Sequence, residues 1–176
     1  STWFSKYNIK DDITSAWSKE GINIQASKCL FDPRCPLKYS IQNAFDGNPA
    51  TSYVENTEDD LMKCIFRKIN IRKDLQIKFA IINGYSSDVF FYKANNRIKK
   101  CGLKNGDNSP FLSEVADGNT QYQTKTLTRT NDAYMGLFEF IVEELYLGNQ
   151  YNDSCIAELN FFDNKEHSWL FGDIDE

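Results

Sequence analysis

Apolar and polar residues alternate with a period of two through much of the chain, and long stretches of helical periodicity are missing. In the segment 75–84, four alternate positions hold Leu, Ile or Phe and share one face, which is the pattern of a half-buried strand. Clusters of Gly, Asn, Asp and Pro separate such segments. The pattern predicts seven or eight strands and favours an antiparallel sandwich or jelly roll. The other predicted strands are 22–27, 64–71, 97–103, 121–128, 137–147 and 155–162.

The length of the chain indicates a single domain. Its 176 residues suffice for one domain with a sizeable core and leave little room for a second. No internal repeat, low-complexity segment or linker interrupts the pattern. The C-terminal tail 163–176 is acidic at its end, and we expect it to fray or pack loosely.

Composition narrows the classes of partner. Aromatic residues make up 14% of the chain, and 20 basic against 25 acidic residues give a net charge of −5, which argues against a broad nucleic-acid surface. The small basic cluster 97–104 is interpreted as a solvated strand face. No apolar run approaches the roughly 20 residues of a membrane span, and residues 1–12 contain no signal-peptide core. We therefore expect no membrane insertion, in a protein that is soluble or trimmed of its targeting segment.

Most catalytic chemistry finds little support in the sequence. The only histidine is His167, in the tail, so histidine-dependent triads, thiol pairs and multi-histidine metal sites are disfavoured. Glycine-rich phosphate loops are missing. A pair of carboxylates for glycoside hydrolysis stays possible, because 25 acidic residues always allow some pair.

The five cysteines match no zinc-binding spacing. Cys29 and Cys35 flank an Asp-Pro turn, so a small disulfide loop between them is predicted, which would imply an oxidising compartment. The alternative is five buried thiols in a cytosolic domain.

A polar turn, 44-AFDGNPATSYVE-55, is the most distinctive short segment. Asp46, Asn48 and Thr51 surround a Gly and a Pro, and hard oxygen donors in a tight turn suit calcium. The spacing is not that of an EF-hand. On spacing alone, a plain turn closed by Asp and Asn side chains is the more common interpretation.

This turn resembles the A-x-D-G-x-x-x-T-x-W/Y loop of the discoidin, or galactose-binding-like, superfamily. Together with 82-INGY-85, 92-YKANNRIKKCGL-103 and 144-ELYLGNQYNDSCIAELNFF-162, it resembles in order and spacing the glycan-binding domain attached to bacterial NAD-glycohydrolase-type toxins. The resemblance implies an all-β, eight-stranded antiparallel β-sandwich jelly roll over residues 39–162. It leaves 1–38 as an N-terminal segment with a possible opening strand.

The resemblance also implies a structural Ca²⁺ site. Its ligands would be Asp46, Asn48 and Thr51, with Glu158 closing the site from the last strand and backbone carbonyls near Phe45 and Ala157 completing it. Tyr53 stands where many relatives have Trp and is expected to keep an aromatic wall.

Candidate ligand residues combine aromatic faces with planar polar groups, as sugar sites require. For each of these residues taken alone, a structural role in a turn or in packing is as common as a role in ligand binding. Arg97 is the best single candidate, with a strand-end salt bridge as its alternative. Tyr146 and Tyr151 are interpreted as packing residues. The candidates are Asn83, Tyr85, Tyr92, Asn96 and Arg97, with Tyr53.

The sequence therefore predicts a non-catalytic carbohydrate-binding module of a bacterial protein that is extracellular, at the cell surface or periplasmic. Its partner would be a glycan, without nucleic acid or membrane insertion. One alternative is an adhesion or assembly module that binds a host protein on the same fold, because fold does not fix function. Another is an enzyme using carboxylates alone.

Overall fold

The computed structural model describes residues 14–19, 22–56, 63–70, 76–105, 109–129 and 135–162. These residues form two antiparallel sheets. The larger sheet has the strand order β1-β2-β4-β9-β6-β7, and the smaller has the order β3-β10-β5-β8. The strands are β1 (Thr14–Lys19), β2 (Ile22–Lys28), β3 (Tyr53–Val54), β4 (Lys63–Asn70), β5 (Gln76–Asn83), β6 (Arg97–Asn105), β7 (Phe111–Glu114), β8 (Gln123–Arg129), β9 (Met135–Tyr146) and β10 (Cys155–Phe162); a 3-10 helix spans Ile41–Phe45 and α1 spans Val89–Ala94.

The core lies between the two sheets. Ile77, Phe79 and Ile81 of β5 lie in this core, as the period-two pattern predicts, and Ala80 and Ile82 on the opposite face are buried as well. Phe140 of β9 contacts Phe79 of β5 at a centroid distance of 6.2 Å and Phe161 of β10 at 5.8 Å, so one ring joins the two sheets. Each such ring contributes about 1.5–3 kcal/mol on full burial, so these three rings help to hold the sheets together.

The predicted fold class is confirmed, and every predicted strand occurs with ends within two residues of the prediction. The described residues also contain three strands that were not predicted. Two of them are too short for an alternation to be read, since β3 has two residues and β7 has four that show no alternating burial. The third, β1, pairs with β2 at the edge of the larger sheet. The segment 1–38 thus contributes two strands rather than one.

The predicted Cys29–Cys35 disulfide is wrong, because neither sulfur forms a disulfide. Cys29 lies in the hydrophobic core, whereas Cys35 is exposed on the surface, so the two sulfurs face different environments. Burial raises the pKa of the Cys101 and Cys155 thiols, which keeps them protonated. The cysteine spacing therefore gives no support to an oxidising compartment.

Among the described residues, no helix is long and apolar enough to cross a membrane. His167 and the rest of the tail lie outside the described residues.

Candidate functional site

Arg97, the first residue of β6, is buried and fully engaged within the protein. Its guanidinium donates to both carboxylate oxygens of Asp117, from Nε at 2.7 Å and from Nη2 at 3.2 Å. Its Nη1 donates to the carbonyl oxygens of Tyr92 at 2.9 Å and Asn95 at 3.0 Å. The guanidinium carbon also lies 5.1 Å from the centre of the Tyr92 ring. The strand-end ion pair, the alternative for Arg97, is therefore what the structure shows.

Tyr92 completes this group, which we name the Arg97 cluster: Tyr92, Arg97 and Asp117. The Tyr92 hydroxyl donates to Asp117 Oδ1 at 3.1 Å and accepts from the Gly118 N–H at 2.9 Å. Burial alone would raise the pKa of Asp117, but hydrogen bonds from Arg97, Gly118 and Tyr92 outweigh it and lower this pKa. Each ionic or polar group in the cluster thus has a partner.

Gly84 explains how the cluster fits against β5. Its φ is +73°, and a Cβ there would lie 2.9 Å from Arg97 Cγ and 2.9 Å from Tyr92 Cε2. Only glycine combines this backbone conformation with such a close approach. The Asn83–Gly84 pair therefore serves packing rather than ligand access.

The asparagines next to the cluster are also structural. Asn83 donates from Nδ2 to the Ile98 carbonyl at 2.8 Å and accepts the Ile98 N–H at 2.9 Å, which ties β5 of one sheet to β6 of the other. Asn96 accepts the Gly148 N–H at 2.8 Å and contacts Asn152. Tyr53 is 0% exposed and belongs to the core. Burial and internal hydrogen bonds favour a packing role for Tyr53, Asn83 and Asn96, and likewise for Tyr92 and Arg97, and their role as ligand residues stays a prediction.

Tyr85, unlike the other candidate residues, lines an open cleft of about 470 Å³ that is rich in aromatic side chains. Its lining comes from four separate segments of the chain. We call this space the cleft. It is lined by Leu30, Lys38, Tyr39, Val54, Tyr85, Phe91, Asn95, Tyr151 and Asp153.

Helix α1 places Phe91 against Tyr85, with ring centroids 5.5 Å apart and planes inclined by 54°. The helix begins after Asp88, whose Oδ1 accepts the Phe91 N–H at 2.9 Å, a normal N-terminal cap. On the other side, the Tyr151 N–H donates to the Ala94 carbonyl at 2.8 Å, which holds the 147–153 loop against the helix end. Local hydrogen bonds therefore fix two aromatic walls of the cleft.

Strand β3 supports the floor of the cleft. The Val54 N–H donates to the Tyr39 carbonyl at 3.1 Å, and the Val54 carbonyl accepts the Leu30 N–H at 2.8 Å. The backbone of Val54 thus links three residues of the cleft lining, which are Leu30, Tyr39 and Val54 itself.

Sequence analysis missed Tyr39, Phe91 and Tyr151 as site residues. Tyr151 was assigned to packing, yet its side chain is 46% exposed at the cleft. Tyr146 does pack, since its hydroxyl donates to the Val115 carbonyl at 2.8 Å. The sequence did contain one signal for Phe91. Three consecutive apolar residues, 89–91, cannot all face inward from a short helix. Lys38 and Tyr39 lie in a loop without any such pattern.

The turn 46–51 is a compact polar loop. Asp46 Oδ1 accepts the Asn48 N–H at 2.8 Å, Asn48 Oδ1 accepts the Ala50 N–H at 3.0 Å, and the Thr51 hydroxyl donates to Asp46 Oδ2. Gly47 has a φ of +71°, which allows the reversal. These bonds are those of a turn closed by Asp and Asn side chains.

Glu158 of β10 lies buried beneath this turn. Neither of its carboxylate oxygens has a hydrogen-bond partner among the described residues. Burial, and next the neighbouring Asp46, raise the pKa of Glu158 from an ordinary 4.5 to about 8, although the N–H groups of Gly47 and Asn48 lie close enough to oppose the shift. Tyr122 lies beside the pair, and its pKa is raised by burial and then by Glu158 and Asp46.

The arrangement of donors fits a hard cation. Two carboxylates, one with orphaned buried oxygens, meet beside a threonine hydroxyl and turn carbonyls, and all are oxygen ligands. No group of three or more His, Cys, Asp or Glu converges in the described part of the chain, so a cation here would need hydroxyl, amide or carbonyl ligands as well.

Comparisons with known structures agree on the fold. The arabinofuranosyltransferase AftD from mycobacteria matches with a TM-score of 0.59 and 14% identity, over 85% of this chain and 11% of that one. A putative chitobiase fragment from Bacteroides thetaiotaomicron gives 0.57 and 11%, over 89% and 96%. An F5/8 type C domain from Bacteroides fragilis gives 0.50 and 12%, over 84% and 95%.

Among curated proteins there is no significant match. A family model described as the NAD glycohydrolase translocation F5/8 type C domain matches residues 17–162. This confirms the resemblance to the discoidin superfamily. The chain therefore belongs to the family of NAD glycohydrolase translocation F5/8 type C domains.

Proposed function

We propose that this domain binds a glycan in the cleft and does not turn it over. The observation that carries the proposal is the convergence of four aromatic side chains with polar groups in one open space. Aromatic faces stack on the C–H surfaces of sugars, and planar or charged groups hold their hydroxyls. Tyr39, Tyr85, Phe91 and Tyr151 supply the faces, while Asn95 and Asp153 supply acceptors.

Affinity at such a site is modest. Each hydroxyl contact replaces a contact with water, so desolvation offsets most of its energy. We expect a Kd on the order of 0.1–1 mM, or about 4 to 5.5 kcal/mol.

Two matched alanine variants test the proposal. Tyr151→Ala removes a cleft wall, whereas Phe111→Ala removes an aromatic residue outside the cleft lining; both side chains are 46% exposed. Glycan-array screening followed by NMR titration should show Tyr151→Ala lowering affinity about tenfold, the loss of one stacking contact. Phe111→Ala should bind as the wild type does. Equal affinities for both variants would place the site elsewhere, and new sugar signals during the titration would reveal turnover.

We further propose that the turn and Glu158 hold a structural Ca²⁺ through Asp46, Asn48, Thr51 and Glu158. The support is the pair of buried, unpartnered carboxylate oxygens, which a cation would satisfy. The ion would neutralise the repulsion between Asp46 and Glu158 and fix the turn. It plays no part in contacting the sugar.

A luminescent ion tests this site independently of sugar binding. Tb³⁺ occupies oxygen-ligand calcium sites, and Tyr122 lies close enough to sensitise its emission. Emission should appear on excitation of tyrosine, fall on addition of Ca²⁺ and vanish in Asp46→Ala. Calcium at a hundredfold excess over Kd should also stabilise the fold by about 2.7 kcal/mol. The absence of both the emission and the stabilisation would refute the site.

A second candidate function, binding of a host or other protein, is favoured by one observation. Val89 and Phe90 on α1 are 74% and 53% exposed, and exposed apolar patches often mark protein contacts. If the domain binds a protein through this patch, a Val89→Ser/Phe90→Ser double variant should no longer capture a purified extracellular protein. Intact capture by the double variant, with sugar binding lost in Tyr151→Ala, would leave the glycan proposal alone.

We place the protein outside the bacterial cytoplasm, at the cell surface, secreted or periplasmic. The support is the family, whose description names translocation. Fractionation of cells that express the natural gene is the direct test.

A further inference from the structure

Asp32, beside the cleft, is shared by two cations. Arg34 donates to its carboxylate from Nε and Nη2, both at 3.2 Å, and from the backbone N–H at 2.9 Å. These hydrogen bonds lower the pKa of Asp32, so the carboxylate is charged. Lys38 Nζ lies 3.8 Å from the same carboxylate, too far for a strong hydrogen bond. One negative charge thus faces two positive ones, and the group carries a net charge of +1.

The surplus charge belongs to the cleft, because Lys38 lines it and Arg34 does not. Lys38 Nζ lies 5.2 Å from the centre of the Tyr39 ring. It is also near enough to Tyr85 to affect its titration. Burial raises the pKa of Tyr85, so its hydroxyl stays protonated. One ammonium and two phenol hydroxyls therefore gather at one side of the cleft, and all can donate hydrogen bonds.

The other charged group of the cleft lies by Asn95. The Asp153 carbonyl accepts the Asn96 N–H at 2.9 Å, which places Asp153 next to Asn95. Asp88, near Tyr85, is occupied as the cap of α1. A ligand that fills the cleft would meet both the positively charged donor of Lys38 and the acceptors of Asn95 and Asp153.

We propose that the cleft selects a sugar that carries an anionic group, a carboxylate or a sulfate ester, bound by Lys38, Tyr39 and Tyr85. This rests on the proposed glycan binding and names the class of glycan. The sugar ring would stack on Tyr85, Phe91 and Tyr151, and its hydroxyls would donate to Asn95 and Asp153. A neutral sugar would leave the Lys38 ammonium without a counter-charge from the ligand.

The test compares sugars that differ only in the anionic group: galactose, galacturonate and galactose 6-sulfate, with the same series built on glucose and on N-acetylglucosamine. Affinities are measured by NMR titration at about 20 mM and about 300 mM salt, since salt screens exposed charges. In at least one series the anionic member should bind about five- to tenfold tighter at low salt, the scale of one exposed ion pair. The advantage should shrink at high salt.

Lys38→Gln should remove this advantage, so that it binds the anionic and the neutral member of a series with equal affinity. Lys93→Gln is the matched control, because Lys93 is exposed on α1 and does not line the cleft. The carboxylate and sulfate arms show which anion is preferred. Equal binding of neutral and anionic sugars, or an advantage that survives Lys38→Gln, overturns this inference while glycan binding stands. No binding by any sugar refutes the proposed function itself.

Discussion

The Arg97 cluster and the Glu158 site each combine a carboxylate with buried polar atoms, but they differ in whether that carboxylate has hydrogen-bond partners. In the Arg97 cluster, the carboxylate of Asp117 receives hydrogen bonds from a guanidinium, a hydroxyl and a backbone N–H. At the other site, both oxygens of Glu158 lack a partner among the described residues. A satisfied buried group stabilises its fold, whereas an orphaned one costs free energy until something binds.

This difference separates structural from ligand residues better than residue type does. Arginine, tyrosine and asparagine were good sugar-binding candidates by type, and four of them turned out to bond within the protein. The carboxylate of Glu158 is the exception, and we propose that an ion supplies the partner it lacks within the protein. The predictions below test each side of the contrast.

The largest effect is expected for Arg97→Ala. The substitution leaves the Asp117 carboxylate and the Tyr92 and Asn95 carbonyls without their donor. Removing one partner of a buried pair costs about 3 kcal/mol or more, and the partial exposure of Asp117 keeps the value at the low end. The urea midpoint should fall accordingly at constant slope.

Arg34→Ala is the control, because the Arg34 side chain is 88% exposed, whereas that of Arg97 is 10% exposed. It should leave the midpoint unchanged within error. A stable Arg97→Ala protein that has lost sugar binding would show that Arg97 is a ligand residue after all.

The next effect concerns pH and Glu158→Gln in calcium-free protein. The folded state holds a proton on Glu158 up to a pKa of about 8, whereas the unfolded state loses it near 4.5. The folded state therefore binds more protons between these values, and stability falls as pH rises through this window. Glutamine carries no charge, so the variant should lack this fall and be more stable than the wild type at pH 8.5.

Urea unfolding of both proteins in EDTA across this pH range measures the difference. With Ca²⁺ present, the wild type should regain stability at high pH and Glu158→Gln should not respond. Parallel pH profiles of the two proteins would mean that Glu158 has an ordinary pKa, and the contrast with Asp117 would disappear.

The smallest effect is expected for Asp88→Ala, a satisfied contact at the surface. Loss of the cap on the Phe91 N–H should cost about 1 kcal/mol. Because α1 carries Phe91, sugar affinity should fall by a few-fold as well. Asp88→Asn, which keeps a capping oxygen, should retain both stability and affinity, as followed by thermal melts and NMR titration.

The fold was largely predictable because alternation is a local signal. In β5, Ile77, Phe79 and Ile81 share one face that lies in the core, and such a face imposes the period of two. Strand β7 escaped prediction because its four residues show no alternation of burial. The short strand β3 owes its conformation to pairing with β10, which lies about a hundred residues later in the chain.

The site was less predictable because its members are distant in sequence. Whether Arg97 is free depends on Asp117, and nothing near Arg97 in the chain announces that partner. The meeting of Asp46 with Glu158 is implied by family resemblance and not by spacing. Tyr85 alone among the predicted sugar contacts lines the cleft, since the other walls come from loops without periodic pattern.

Strand β3 has a consequence for the timescale on which the cleft keeps its shape. Its Val54 backbone holds Leu30 and Tyr39, and it follows Thr51 of the turn almost directly. Turn and cleft floor therefore share one short piece of chain, so motion in one reaches the other. An ion that ordered the turn would slow amide hydrogen exchange at Leu30 and Val54. The cleft floor would then be rigid before a ligand arrives, and binding would cost less conformational entropy.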